Sequence, residues 1–152
     1  MPDPYETLDA AMGRFLGMRG VLDPTQAVPG LGLSMSEAMA MRQLSDGAQT
    51  QQDLGAGLSL EKSTISRLVD GMIRKGWAEK SRDPHNRRYQ IVRLTPEGKQ
   101  VAHQVADVFH RRHARWFAAL TAHEQDALTV GLTALLRAID KESAAESGAT
   151  GT

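Results

Sequence analysis

The side chains that could do chemistry in this 152-residue chain are concentrated in one basic segment, residues 61–93. The segment contains nine lysines and arginines and four acidic residues, a net charge of +5, so the rest of the neutral chain carries −5. Basic side chains bind phosphate groups, and short hydroxyl side chains among them can bond to phosphates or to base edges. A charge cluster alone is equally typical of a solvated surface. The elements that position these residues therefore decide between the two interpretations.

Residues 61–76 are predicted to form an amphipathic helix. One buried stripe at helical spacing consists of Ile65, Leu68, Val69, Met72 and Ile73. The outward side carries hydroxyl and charged groups, namely Lys62, Ser63, Ser66, Arg67, Asp70 and Arg74. Gly76 can end the helix because glycine adopts the left-handed conformation without steric cost. This helix presents a polar, basic face to its surroundings.

The elements on both sides of this helix predict a winged helix-turn-helix. Before it, Thr50 can cap a short helix that runs toward Gly55 or Gly57, and glycine suits the tight turn between two such helices. After it, residues 77–81 and 89–94 read as strands, and the turn between them, R-D-P-H-N-R-R, is rich in arginine and in turn formers. The expected fold class is mainly α (α+β), with a small β-hairpin as the wing.

This arrangement fits double-stranded DNA. An α-helix is about 10–12 Å across and the major groove of B-DNA is about 12 Å wide, so one helix can enter it. The residues near the start of the basic helix have the short polar or long cationic side chains that such contacts need: Ser63, Thr64, Ser66 and Arg67. Arg87 and Arg88 in the hairpin could reach the DNA backbone or a narrow minor groove. The alternative is a winged helix that contacts another protein and binds no specific DNA.

Two runs of residues resemble the multiple antibiotic resistance regulator (MarR) family. They are K-S-T-I-S-R-L-V-D-G-M-I-R-K-G-W-A-E-K, residues 62–80, and D-P-H-N-R-R-Y-Q-I-V-R-L-T-P-E-G, residues 83–98. The second is similar to the wing signature of that family, and the resemblance extends over roughly residues 5–142. It implies a homodimer that binds a pseudo-palindromic operator, usually as a repressor that a small molecule releases.

The resemblance also implies roles for individual residues. Major-groove contacts fall to Lys62, Ser63, Thr64, Ser66 and Arg67; Arg88 enters the minor groove; Gln51 and Gln52 contact phosphates. Where the family often has an aspartate that orients the wing arginine, this chain has Asn86, which carries no charge. Asp83 is the alternative residue for that task.

Apolar residues outside the winged helix predict dimerisation. The first and last helices carry nine large side chains at helical spacing, namely Leu8, Met12, Phe15, Leu16, Leu128, Leu132, Leu135, Leu136 and Ile139. Burying each is worth about 1.5–3 kcal/mol, and a winged helix of about 60 residues cannot cover them all. They could pack within one chain, but we expect terminal helices of two subunits to intertwine.

The chain therefore divides into four predicted parts. Residues 1–32 form an N-terminal dimerisation helix and loop, and residues 33–95 form the DNA-binding region. Residues 96–142 form two further dimerisation helices: Thr95 and Pro96 begin the first of them, and a capping box at Thr121 and Glu124 begins the second. Residues 143–152 are small and polar, so we expect a disordered tail.

Several other activities are not expected. There is no cysteine, which excludes disulfide bonds and a thiol nucleophile, and no catalytic motif is present, so we predict that the chain is not an enzyme. His103, Asp107 and His110 lie at a spacing that could help to bind zinc, with His113 nearby, but exposed histidines are the favoured interpretation. We predict no metal and no cofactor beyond an unidentified effector.

The N-terminal residues lack the features of a secretion signal. Asp3, Glu6 and Asp9 stand where a signal peptide would carry positive charge. The apolar stretches are too short to cross a bilayer. The expectation is a soluble cytoplasmic protein without a membrane partner.

Overall fold

The structure, a computed structural model, describes residues 3–16, 28 and 30–149, and it leaves out the side chains of 15–16 and 147–149. The helices and strands follow one another in the order α1 (Pro4–Leu16), α2 (Met35–Ser45), β1 (Gln49–Thr50), α3 (Gln51–Gly57), α4 (Lys62–Arg74), β2 (Ala78–Arg82), β3 (Gln90–Leu94), α5 (Pro96–Ala118) and α6 (Ala122–Ala149). They fall into two compact units, one ending at Val108 and one beginning at Phe109. The expected fold class, mainly α with a small sheet, is confirmed.

The core of the first unit lies where α2, α3 and α4 pack on the sheet. Its largest fully buried side chains are Leu33, Met41, Leu54, Val69, Met72 and Val92. Helix α4 contributes Ile65, Val69 and Met72 to this core, while Leu68 and Ile73 are half-buried. The predicted apolar stripe of α4 is thus the side that packs inward.

The sheet is antiparallel with the strand order β1-β3-β2. The hairpin pairs Ala78 with Leu94 and Arg82 with Gln90, close to the predicted strands. Strand β1 adds two residues to the other edge of β3, where Gln49 pairs with Val92. Sequence did not predict β1, because two residues are too few to show alternation.

Side-chain caps begin the helices where the sequence places them. Ser34 and Glu37 form a complete capping box at the start of α2, with Ser34 Oγ accepting from the Glu37 N–H at 3.1 Å. Thr50 caps α3 in the same way by accepting from the Asp53 N–H at 3.0 Å. Each cap satisfies a backbone donor that the helix itself leaves without an acceptor.

Helix α5 begins in close contact with the residues that follow α4. Gly76 closely follows the end of α4 and adopts the left-handed conformation, with φ +76°, as predicted. Thr95 donates its hydroxyl to the Gly76 carbonyl at 2.6 Å and accepts from the Gly98 N–H at 3.0 Å. Gly98 packs so tightly that a Cβ there would collide with the carbonyl of Trp77.

Helix α6 ends later than the sequence predicts, and the first helix is described only to residue 16. Helix α6 continues to Ala149, so the prediction of a disordered tail is wrong for residues 143–149. That stretch contains three alanines and one glutamate, which are strong helix formers and favour the continuation without apolar periodicity. The predicted helix and loop of residues 1–32 lie partly beyond the described residues. Among the helices described, none is long and apolar enough to cross a membrane.

Candidate nucleic-acid interface

The N-terminal part of α4 presents its polar residues to solvent. Lys62, Ser63, Thr64 and Arg67 are exposed, and Ser66 is half-buried. The N-cap, Glu61, makes no side-chain cap bond, and the first turn of α4 contains no acidic residue. The first backbone N–H groups therefore keep their partial positive charge for an outside acceptor. This end of α4 suits an anion such as a phosphate.

The wing turn is held by two polar side chains that bond to its backbone. Asp83 Oδ1 accepts from the His85 N–H at 2.8 Å, and Asn86 Oδ1 accepts from the Arg88 N–H at 3.1 Å. The backbone closes the turn where the Tyr89 N–H donates to the Asn86 carbonyl at 3.0 Å. Asn86 thus orients the backbone of Arg88, and neither Asn86 nor Asp83 bonds to its guanidinium in the described wing.

A groove joins α3, the start of α4 and the wing, and we call it the wing groove. Its volume is about 570 Å³, and its lining includes Gln51, Gln52, Lys62, Ile65, Arg88 and Tyr89. The structure therefore brings together four residues that the sequence assigned to the interface from three separate elements. Gln51 is half-buried, and its side-chain oxygen has no hydrogen-bond partner among the residues described. Gln52, Arg87 and Arg88 are exposed.

A second cleft lies between α4 and the start of α2, and we call it the α2 cleft. Its volume is about 470 Å³, and its polar lining consists of Ser34, Ser36, Glu37, Thr64, Arg67, Arg74 and Lys75. Sequence reasoning placed Arg74 on the outward side of the helix but did not assign it to the interface. The missed signal is its spacing of seven residues, two helical turns, from Arg67.

The carboxylates near α4 neutralise only part of the basic segment. Three cations are paired: Lys75 with Glu37 at 2.7 Å, Lys80 with Asp70 at 2.7 Å, and Arg93 with Glu79 at 3.6 Å. In the described part of the chain, the remaining six cations of the segment pair with no carboxylate; these are Lys62, Arg67, Arg74, Arg82, Arg87 and Arg88. Unbalanced positive charge is thus concentrated on the outward face of α4 and on the wing.

Most of the predicted dimer residues are exposed where their side chains are described. In the first unit, Leu8 and Met12 are exposed, and the side chains of Phe15 and Leu16 lie outside the described residues. In the second unit, Leu135 is half-buried, whereas four neighbours on α6 are exposed, namely Leu128, Leu132, Leu136 and Ile139. Each unit therefore presents apolar side chains that it does not cover itself.

The histidines on α5 form no compact ligand set. His103 and His110 are exposed, and across residues 3–16, 28 and 30–149 no three histidine, aspartate or glutamate side chains are placed to hold a metal ion. His113 instead lies beside aromatic rings, 6.3 Å from Phe109 and 5.4 Å from Trp116 between centroids.

Comparison with known proteins finds a winged-helix family and several regulators that are similar to this chain. Residues 33–98 match the family described as "Winged helix DNA-binding domain". The HTH-type transcriptional regulator YkoM of Bacillus subtilis is 30% identical over 84 residues, which are 55% of this chain and 54% of that protein. The multiple antibiotic resistance protein MarR of Salmonella typhimurium is 33% identical over 58 residues, 38% of this chain and 40% of that protein. The chain thus matches about half the length of these relatives or less.

The fold itself extends over nearly the whole chain. FabT of Streptococcus pneumoniae, solved in complex with DNA, superimposes with a TM-score of 0.77 at 16% identity and covers 90% of this chain and 98% of FabT. YkoM is named as a transcriptional regulator, in agreement with the expectation that this chain is not an enzyme. The family signature in the wing and the matched winged helix together confirm the resemblance. Residues 33–98 thus match a winged helix DNA-binding domain, and part of the chain is similar in sequence to MarR.

Proposed function

We propose that this protein is a homodimeric transcriptional regulator that binds double-stranded DNA in a sequence-specific manner. One observation carries the proposal: the exposed start of α4, which has no acidic residue in its first turn, lies beside the wing across the wing groove. One element suited to the major groove and one suited to the minor groove thus face the same side of the first unit. FabT, which has the same fold, binds DNA in its solved structure.

The residues divide by the part of DNA that they contact. Ser63, Thr64, Ser66 and Arg67 read base edges in the major groove, because hydroxyl and guanidinium groups match the donor and acceptor pattern there. Phosphate contacts fall to Lys62, Gln51, Gln52 and Arg87, and Arg88 enters the minor groove, where negative potential is concentrated. Phosphate contacts position the protein, whereas base contacts select the sequence.

A two-fold dimer completes the proposed mode of binding. The exposed apolar residues of α1 and α6 support it, since a second copy would bury them. Two recognition helices about 34 Å apart then meet successive major grooves on one side of the duplex, which requires a pseudo-palindromic operator.

The regulatory role follows the family pattern. We propose a repressor in the cytoplasm, where the operator DNA lies, that a small-molecule effector releases. The MarR resemblance supports this part of the proposal. Footprints on its own upstream region, with and without candidate effectors, would test it.

Binding to DNA across salt concentrations tests the function itself. Labelled duplexes enriched by the protein from a random pool are compared with unselected DNA from 50 to 200 mM salt. A protein making 6–10 phosphate contacts loses about 10³–10⁵ in affinity over this range. A flat salt response, or no enriched sequence, would favour the alternative, a winged helix that contacts protein.

A further inference from the structure

The outward face of α4 has a cleft on each side. At about 100° per residue, Lys62 and Ile65 lie toward the wing groove, whereas Thr64, Gly71 and Lys75 lie on the opposite side, in the α2 cleft. Ser63 and Ser66, two of the residues proposed to read bases, stand between the two clefts. The major groove is bounded by two phosphate backbones, so a helix inserted in it has one backbone on each side. The proposed wing contacts occupy one of these sides.

The α2 cleft contains two cations that have no carboxylate partner among the described residues. Arg67 and Arg74 are exposed and lie two helical turns apart, about 11 Å along the helix axis, on the same side of α4. Lys75, the third cation in the lining, is already held by Glu37 at 2.7 Å, by the Gly32 carbonyl at 2.9 Å and by the Trp77 ring at 4.7 Å. The positive charge that remains for an outside anion therefore belongs to the arginines.

The floor of the cleft is open because residue 71 is glycine. A Cβ at Gly71 would meet one atom within 4 Å, the Nη2 of Arg74 at 3.6 Å, so packing inside the chain does not require glycine there. Glycine in the middle of a helix is less favourable than alanine. An open floor is what the close approach of another backbone needs. Ser36, exposed at the rim, adds a hydroxyl donor.

We propose that the α2 cleft is a second phosphate-binding surface, in which Arg74 and Ser36 contact the DNA strand on the side of α4 away from the wing. This inference rests on the proposed DNA-binding function and extends it. Arg67 at the edge of the cleft reads a base, whereas Arg74 binds only backbone. The recognition helix is then held between two phosphate-binding surfaces, which fixes its depth and direction in the groove.

The test is the salt dependence of Arg74→Gln, with Arg42→Gln as the matched control. Arg42 is an exposed arginine at the other end of α2, so its variant loses the same charge elsewhere. Each lost phosphate contact lowers the slope of log K against log salt by about 0.9, so a dimer with two clefts loses about 1.8. Arg74→Gln should weaken binding to selected and unselected duplexes by the same factor. Arg42→Gln should retain the wild-type slope.

A second variant tests the open floor independently of charge. Gly71→Ala should raise the thermal midpoint, because alanine favours the helix, and should weaken binding to both kinds of duplex. A wild-type salt slope in Arg74→Gln, or wild-type affinity in Gly71→Ala, would overturn the second surface. If Arg67→Ala still abolished sequence discrimination in that case, the proposed function would stand without it. Failure of the wild type to bind any duplex would overturn both.

Discussion

The carboxylate of Glu37 and the ammonium of Lys75 lie 2.7 Å apart, joining the start of α2 to the end of α4. The Glu37 side chain is 8% exposed and that of Lys75 is 37% exposed. Glu37 also accepts from the Ser34 N–H at 2.8 Å. The same carboxylate therefore completes the cap of α2 and holds Lys75 at the end of α4. Its Oε2 accepts from the Ser34 N–H, and its Oε1 pairs with Lys75 Nζ.

Loss of Lys75 should therefore destabilise the fold more than loss of a comparable surface lysine. Lys75→Met leaves the buried Glu37 carboxylate without its cation, which should lower the free energy of unfolding by about 1–3 kcal/mol. Lys80→Met is the control, since the pair of Lys80 and Asp70 is exposed and is worth about 0–1 kcal/mol. Urea denaturation measures both. Equal losses would show that burial of Glu37 does not matter.

The cap of α6 should make its stability depend on pH. The Thr121 N–H and then the Thr121 hydroxyl donate to the Glu124 carboxylate, each at 2.8 Å, and hold its pKa below the usual value of 4.5. A lowered pKa in the folded state means that the ionised group stabilises above pH 4.5, and that this contribution is lost as the pH falls through the lowered pKa. Glu124→Gln should reduce the change of the free energy of unfolding with pH below pH 5. An unchanged pH dependence would contradict it.

Gly98 should tolerate no side chain. A Cβ at this buried position in the first turn of α5 would collide with the carbonyl of Trp77, and rigid backbone cannot move aside cheaply. An ordinary substitution at an exposed site changes the free energy of unfolding by a few tenths of a kcal/mol, and Gly98→Ala should lower it by several times that amount. Gly131→Ala is the matched control, because a Cβ there meets nothing within 4 Å and should stabilise α6. Thermal unfolding followed by circular dichroism separates the two.

The apolar side of α6 should hold the dimer together. Leu136 is 60% exposed within one chain, so Leu136→Glu should leave the folded unit intact but place charge in the proposed interface. Val130, 70% exposed and more than 100° away around the same helix, provides the control Val130→Glu. Sedimentation at micromolar concentration should show monomers for the first variant and dimers for the second. Dimers in both would place the interface elsewhere.

The sequence predicts the elements of the winged helix because each carries a local signal. Thr50 caps α3 as expected, and Gly76 follows α4 with positive φ. The apolar stripe of α4 identifies its buried side, and the outward side follows by elimination. These features depend on residues within one or two turns of each other, which a linear reading can detect.

Features that depend on distant residues could not be predicted in this way. Lys75 pairs with Glu37, 38 residues earlier in the chain, and no local pattern indicates this partner. The α2 cleft likewise exists only because α2 packs beside α4, so Arg74 gives no local sign of its surroundings. The extension of α6 beyond residue 142 was missed because helix propensity there has no apolar pattern to reveal it.

The most direct test of the central claim is chemical probing of guanine N7 on a duplex selected by the protein. This atom lies in the major groove, where Ser63, Thr64, Ser66 and Arg67 are proposed to bind. We expect protection of N7 in two half-sites about 34 Å apart, and loss of protection in each half-site with Arg67→Ala. Wild-type protein bound to the selected duplex with every N7 still reactive would contradict it.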